Sequence, residues 1–214
     1  RQADPNAYGF GCRFAHCGID KKAIGWKTDT EDGGIPASEV LAGTEPYATV
    51  PDEGSIIIDL DSAKNDGEPS GWDLFNTDIG AYGSSAFPKT YLVKTPHDGA
   101  HAYYRIPTAW KGRIKNAAHP KWNGFKSGLP VDIRLERKGY VVGAMSTITD
   151  GVYKLVDLPE DGMVPELTEP MLNWLRDHDY MERSKPIMHD TRTLRRLASQ
   201  KDSKPDMSVI PEGQ

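Results

Sequence analysis

Two aspartates separated by one leucine, Asp59-Leu60-Asp61, follow an unbroken apolar run, Ile56-Ile57-Ile58. Alternate residues of a strand point to the same side, with Cα atoms about 7 Å apart at about 3.3 Å rise per residue. Asp59 and Asp61 therefore face one way and Leu60 stays in the core. Two carboxylates held that close repel each other unless a cation sits between them. Oxygen donors of this kind suit Mg²⁺ or Mn²⁺, ions that commonly serve phosphate chemistry. Asp-x-Asp pairs also occur at solvated loop ends and turn caps. The apolar strand in front of this one weighs toward a cation, because carboxylates at the end of a buried strand are costly without counter-charge.

The elements that must position these groups are mostly strands up to about residue 157. Short strands are expected at 13–15, 47–50 and 56–60, then at 90–95 and 101–106 around a hairpin turn at Pro96–Ala100. Two more, 131–135 and 140–142, are expected to join across Glu136–Gly139, with a final strand at 151–155. Trp26–Asp29 reads as loop, and one short helix is expected near Pro36–Leu41. The Gly-, Asp- and Ser-rich stretch 65–85 reads as a long loop, and long loops in compact domains often carry function. Residues 158–170, rich in Pro, Asp and Glu, read as a linker. A helix over 170–177 capped by Thr168, a second over 191–199 and a disordered end at 200–214 follow.

The 214 residues suffice for one large domain, or one domain with a helical appendage. No apolar run approaches the roughly 20 residues of a membrane helix, and the opening residues carry no signal-peptide pattern. The chain opens on Arg1, which reads as an excised start. Cys12 and Cys17 are too few for a disulfide framework, and a reducing compartment is the default. With His16 they match no common zinc spacing. The net charge of −5 conceals an asymmetry: residues 1–87 hold 15 acidic and 6 basic side chains, whereas residues 105–138 hold 9 basic and 2 acidic. That basic tract (Arg105, Lys111, Arg113, Lys115 and onward) includes Trp110, Trp122 and Phe125. Charge that tracks a backbone and rings that stack on bases are what single-stranded nucleic acid takes; a solvated surface over core aromatics gives the same pattern.

Read together, Asp59-x-Asp61, Gly99-Ala100-His101, Val131-Asp132-Ile133-Arg134 and Gly139-Tyr140-Val141-Val142 resemble, in order and spacing, the prim-pol branch of the archaeo-eukaryotic primase superfamily. Lys21-Lys22 with Gly25-Trp26-Lys27, and Pro88-Lys89-Thr90 with Val93-Lys94-Thr95-Pro96, extend the likeness over roughly residues 12–156. The resemblance implies an α+β domain with an RRM-like catalytic sheet, an accessory N-terminal sheet and a short helical C-terminal tail, bounded at 1–157 and 158–214. It implies that Asp59, Asp61 and Asp132 hold two divalent ions, Mg²⁺ or Mn²⁺. His101 would contact the incoming nucleotide's phosphates, joined by Arg134 and, more weakly, Lys138 and Lys94. Arg105, Lys111, Arg113 and Lys115 are candidates for a single-stranded DNA template.

The chain departs from the family at several points, among them the family's short N-terminal helix, which is missing or cut. Asp98-Gly99-Ala100 stands where paired glycines are common, and Gly143-Ala144-Met145-Ser146 where Ala-Pro-Pro-Ser is common, with no histidine following. The implied activity is DNA primase and polymerase, taking NTP or dNTP. It would sit in a phage or plasmid replication protein, with a helicase domain in the same polypeptide and a cytoplasmic location. Two other classes stay open: a metal-dependent glycosyltransferase gripping a nucleotide sugar, and a non-catalytic DNA-binding replication module.

Overall fold

Residues 3–182 are described in the computed structural model, apart from Asp32, Thr44 and Asn123; the helix expected over 191–199 and the disordered end lie outside them. The fold is α+β. In chain order the elements are β1 (Cys12–His16), α1 (Trp26–Asp29), α2 (Ala37–Val40), β2 (Tyr47–Pro51), β3 (Ser55–Leu60) and α3 (Gly71–Gly80). There follow β4 (Leu92–Lys94), β5 (Ala100–Arg105), β6 (Val131–Arg134), β7 (Val141–Val142), β8 (Thr147–Ile148), β9 (Gly151–Val152), β10 (Lys154–Asp157) and α4 (Glu169–Asp177). The pairings between these strands are antiparallel, in a five-stranded sheet ordered β10-β4-β5-β3-β6, a three-stranded sheet β1-β2-β7 and the ribbon β8-β9.

The isoleucine run of β3 is continuous because both faces of its sheet are covered. Ile56, Ile58 and Leu60 join Ala102, Tyr104, Val131 and Ile133 under the helices, meeting Phe75 and Ile79 of α3 and Met171, Leu172 and Leu175 of α4. Ile57 points the other way, with Val93 and Tyr103, into a second core shared with Phe14, Tyr47 and Val141 of the three-stranded sheet. Each buried isoleucine stabilises the fold by about 1.5–3 kcal/mol relative to exposure.

Several elements differ from the sequence reading. Residues 71–80 are helical, not loop. Ser70 Oγ accepts from Asp73 N at 3.0 Å and donates to Asp73 Oδ2 at 2.7 Å, and Phe75 and Ile79 share the buried face. Trp26–Asp29 forms one helical turn, closed by Thr30 Oγ1 on Trp26 O at 2.8 Å. β6 and β7 do not pair, because β7 crosses to the other sheet and pairs with β2. The expected final strand breaks at Tyr153: β9 pairs with β8, and β10 with β4.

Residues 158–167 are also no free linker. Val164 and Leu167 are buried, and Arg105 N donates to Pro165 O while Leu167 N donates to Arg105 O. The compact unit accordingly runs on to Glu182. Thr168 does precede α4, but its Oγ1 donates to Ala86 O at 2.6 Å instead of capping the helix. Among the described residues, no helix is long and apolar enough to cross a membrane.

Candidate active site

Register brings the predicted acids together. Across the β3 ladders Asp59 stands opposite His101 of β5 on one side and Asp132 of β6 on the other. Directly opposed residues of antiparallel strands share a face. His101, Asp59 and Asp132 therefore form a row across three strands, on the face turned toward the three-stranded sheet. Arg134 stands opposite Ile57 and shares that face. Asp61 lies just past the strand end, its N–H donating to Pro130 O at 2.8 Å and its carbonyl accepting from Gly71 N at 2.7 Å.

Two glycines allow this convergence. A Cβ at Gly71 would meet Pro130 O at 2.1 Å, and one at Gly99 would meet Leu60 O at 2.6 Å. The start of α3 and the β4–β5 turn thus both press against the backbone that carries Asp61.

The side chains form a connected set. Asp59 Oδ1 lies 3.5 Å from His101 Nε2. Arg134 Nη2 donates to Asp132 Oδ2 at 2.6 Å and reaches Asp59 Oδ2 at 3.3 Å. Asp132 Oδ1 accepts from His119 N at 2.7 Å and also lies 2.9 Å from His119 Nδ1, away from hydrogen-bonding direction. That nitrogen is 3.6 Å from Asp61 Oδ2. Lys64 Nζ is 3.7 Å from Asp61 Oδ2 and touches His119 Nε2.

Burial sets the electrostatics. The side chains of Asp59 and Asp132 are 14% and 3% exposed. Burial, and then the charge of Asp61, pushes the Asp59 carboxyl up to about 6 against the pull of Arg134. Asp132 is also raised by burial, with Arg134 and the His119 N–H opposing. Burial pushes His101 down to about 3, and Arg134 adds to this, so it is neutral at pH 7. Its ring lies 5.4 Å from that of Tyr153.

Asp59, Asp61, His101 and Arg134 floor a cleft of about 350 Å³ whose rim includes Lys21, His97 and Tyr140. Tyr140 Oη accepts from Ala23 N at 3.1 Å and donates to Lys21 O at 3.3 Å, fastening the N-terminal loop to the cleft. Asp150 pairs with Lys21 at 2.8 Å and with His97 at 3.4 Å.

Other predicted residues lie elsewhere. Val93 stands opposite His101, so Lys94, one residue on, leaves from the opposite face and pairs with Asp98 at 3.0 Å. Lys138 and Lys111 line a separate cavity with Glu53. Arg105 Nε donates to Val164 O at 2.9 Å, Arg113 lies over the Trp110 ring and Lys115 pairs with Asp179 at 3.0 Å.

His119 escaped the sequence reading. Ala117 bridges to Ile133 of β6 and Leu129 N donates to Pro120 O, so the intervening chain folds back over the acids. It sets His119 beside Lys121, Trp122, Phe125 and Lys126, around a second cavity of about 410 Å³. A lone histidine before a proline in a basic stretch was the available signal.

The family model for the bifunctional DNA primase/polymerase, N-terminal, matches residues 27–170, and the chain belongs to that family. The matched span holds β2 to β10 and Asp59, Asp61 and Asp132. No curated protein matches the chain.

Proposed function

We propose that the chain is a template-dependent nucleotidyltransferase, a DNA primase and polymerase that joins NTP or dNTP along single-stranded DNA. The observation that carries this reading is the row of His101, Asp59 and Asp132 across three strands, with Asp61 at its end and Arg134 between two of the acids. In the terms of the family, the five-stranded sheet is the RRM-like catalytic sheet and the three-stranded one the accessory sheet. The donors fit hard divalent cations: three carboxylates, two of them mostly buried and raised in pKa, have a single arginine between them.

Asp59, Asp61 and Asp132 would hold two such ions, Mg²⁺ or Mn²⁺. Bound there, the ions would supply neutralisation of the charge that develops as a nucleotidyl group passes to a 3′-hydroxyl and pyrophosphate leaves. Neutral His101 is positioned to donate to a phosphate oxygen without repelling Arg134. Arg134, beside the same acids, would offer a forked contact to the triphosphate. Exposed Lys111 and Arg113, with Lys121 and Lys126 near His119, are the template candidates, whereas Arg105 and Lys115 are spent on internal contacts.

The family match favours this reading over a nucleotide-sugar transferase built on the same Asp-x-Asp. We place the chain in a phage or plasmid replication protein acting in the host cytoplasm, with a helicase domain in the same polypeptide.

A primer-synthesis assay on single-stranded template with nucleotides and Mg²⁺ or Mn²⁺ tests the proposal. Product is expected from the native chain and none from the Asp59→Ala/Asp61→Ala variant; undiminished synthesis by that variant overturns the assignment.

A further inference from the structure

The geometry points to His119 as a direct nitrogen ligand of the divalent ion shared by Asp61 and Asp132, giving that position a mixed oxygen and nitrogen donor set. The inference rests on the metal-dependent reading above and adds to it a ligand outside the three aspartates.

The spacing supports it first. His119 Nδ1, Asp61 Oδ2 and Asp132 Oδ1 stand 3.6 Å and 2.9 Å apart along the two histidine–aspartate edges, and one donor atom from each residue lies within 4.8 Å of the others. At metal–donor lengths of about 2.1 Å, neighbouring donors stand about 3.0 Å apart in octahedral and about 3.4 Å apart in tetrahedral coordination. The two measured edges straddle those values.

The backbone supports it second. His119 is held at φ 43, a left-handed conformation that is uncommon for a non-glycine residue. Its own N–H is fastened to Asp132 Oδ1, and the chain just before it is bonded both ways to Ile133. The imidazole is therefore set relative to the acid by three backbone contacts rather than by a swinging side chain. Nδ1 is buried and makes no hydrogen bond. Coordination through Nδ1 places the ring proton on Nε2 and turns Lys64 from that nitrogen to Asp61, already 3.7 Å away.

Imidazole suits first-row transition ions better than Mg²⁺. The site is therefore one for Mn²⁺, Co²⁺ or Zn²⁺ in preference to Mg²⁺.

The test loads the full chain with Mn²⁺ and records electron spin-echo modulation, which detects a nitrogen bonded directly to the ion. Native protein is expected to show ¹⁴N modulation that survives His101→Gln and disappears in His119→Asn, a replacement that tolerates left-handed backbone. Co²⁺ affinity in His119→Asn is expected to fall about tenfold or more while Mg²⁺ affinity changes little. Bound Mn²⁺ without ¹⁴N modulation, or modulation that persists in His119→Asn, overturns the ligand assignment and leaves the three-aspartate reading standing. Failure of the native chain to bind Mn²⁺, Co²⁺ or Mg²⁺ overturns both.

Discussion

Asp59 and Asp132 face each other directly across the β3–β6 ladder, and one guanidinium nitrogen of Arg134 reaches both, at 3.3 Å and 2.6 Å. Arg134 thereby offsets two carboxylates that the sheet forces together. Breaking a buried ion pair from one side leaves uncompensated charge. Arg134→Gln should destabilise the cation-free protein by about 3 kcal/mol at pH 8 and by less at pH 5, where the acids can take up protons. Thermal denaturation at the two pH values checks this; equal losses at both would discount the bridge.

Asp59 titrates near 6 when folded and near 4 when unfolded, so folding takes up a proton between those values. Its contribution therefore worsens as pH rises from about 4 to about 6 and stays unfavourable above. A cation bound at the acids removes the cost. The rise in Tm on adding Mn²⁺ or Mg²⁺ should be small at pH 5 and large at pH 8, where a hundredfold excess over Kd stabilises by about 2.7 kcal/mol. Chelation should reverse it.

His101 carries the opposite sign. Its folded pKa of about 3 lies below the unfolded 6.5, so it stabilises fully above pH 6.5 and that contribution is lost as pH falls toward 3. His101→Gln should flatten the acid side of the Tm profile between pH 6.5 and 4, whatever it does to Tm at pH 7. An unchanged slope would contradict the buried neutral imidazole.

Gly71 and Gly80 bound the same helix and should respond differently. A methyl at Gly71 runs into Pro130 O and approaches Asp61 N at 3.0 Å. Gly71→Ala should cost about 2–3 kcal/mol, within the range for overpacked sites, and lower cation affinity by displacing Asp61. Gly80→Ala meets nothing nearer than Asn76 Oδ1 at 3.8 Å and should be neutral or stabilising by up to about 1 kcal/mol. Chemical denaturation and cation titration of both variants provide the comparison.

The acids were legible in the sequence because each sits on or beside a strand whose apolar alternation marks it. The run of β3 and the Val-Asp-Ile-Arg of β6 announce themselves locally, and ordered spacing joins them to His101. Pairing partners were not legible, since nothing in 131–142 says that β7 leaves for another sheet. The facing of Lys94, away from His101, was hidden by the same gap: facing depends on register, and a shift of one residue reverses it. The α3 helix hid behind Gly71, Gly80 and its aspartates, although Ser70, Asp73, Phe75 and Ile79 carried a cap and a face. His119 reaches the acids only through a chain reversal stitched to β6 across more than ten residues, and no local pattern records such a return.

The rim of the cleft is fastened differently from its floor. Lys21, Asp150 and His97 meet with side chains 39%, 40% and 61% exposed, on three segments far apart in sequence. Ion pairs this open hold at most about 1 kcal/mol and fade over a Debye length of about 8 Å at physiological salt. These rim contacts weaken as salt rises, whereas the backbone register that sets the acids beneath them carries no such dependence.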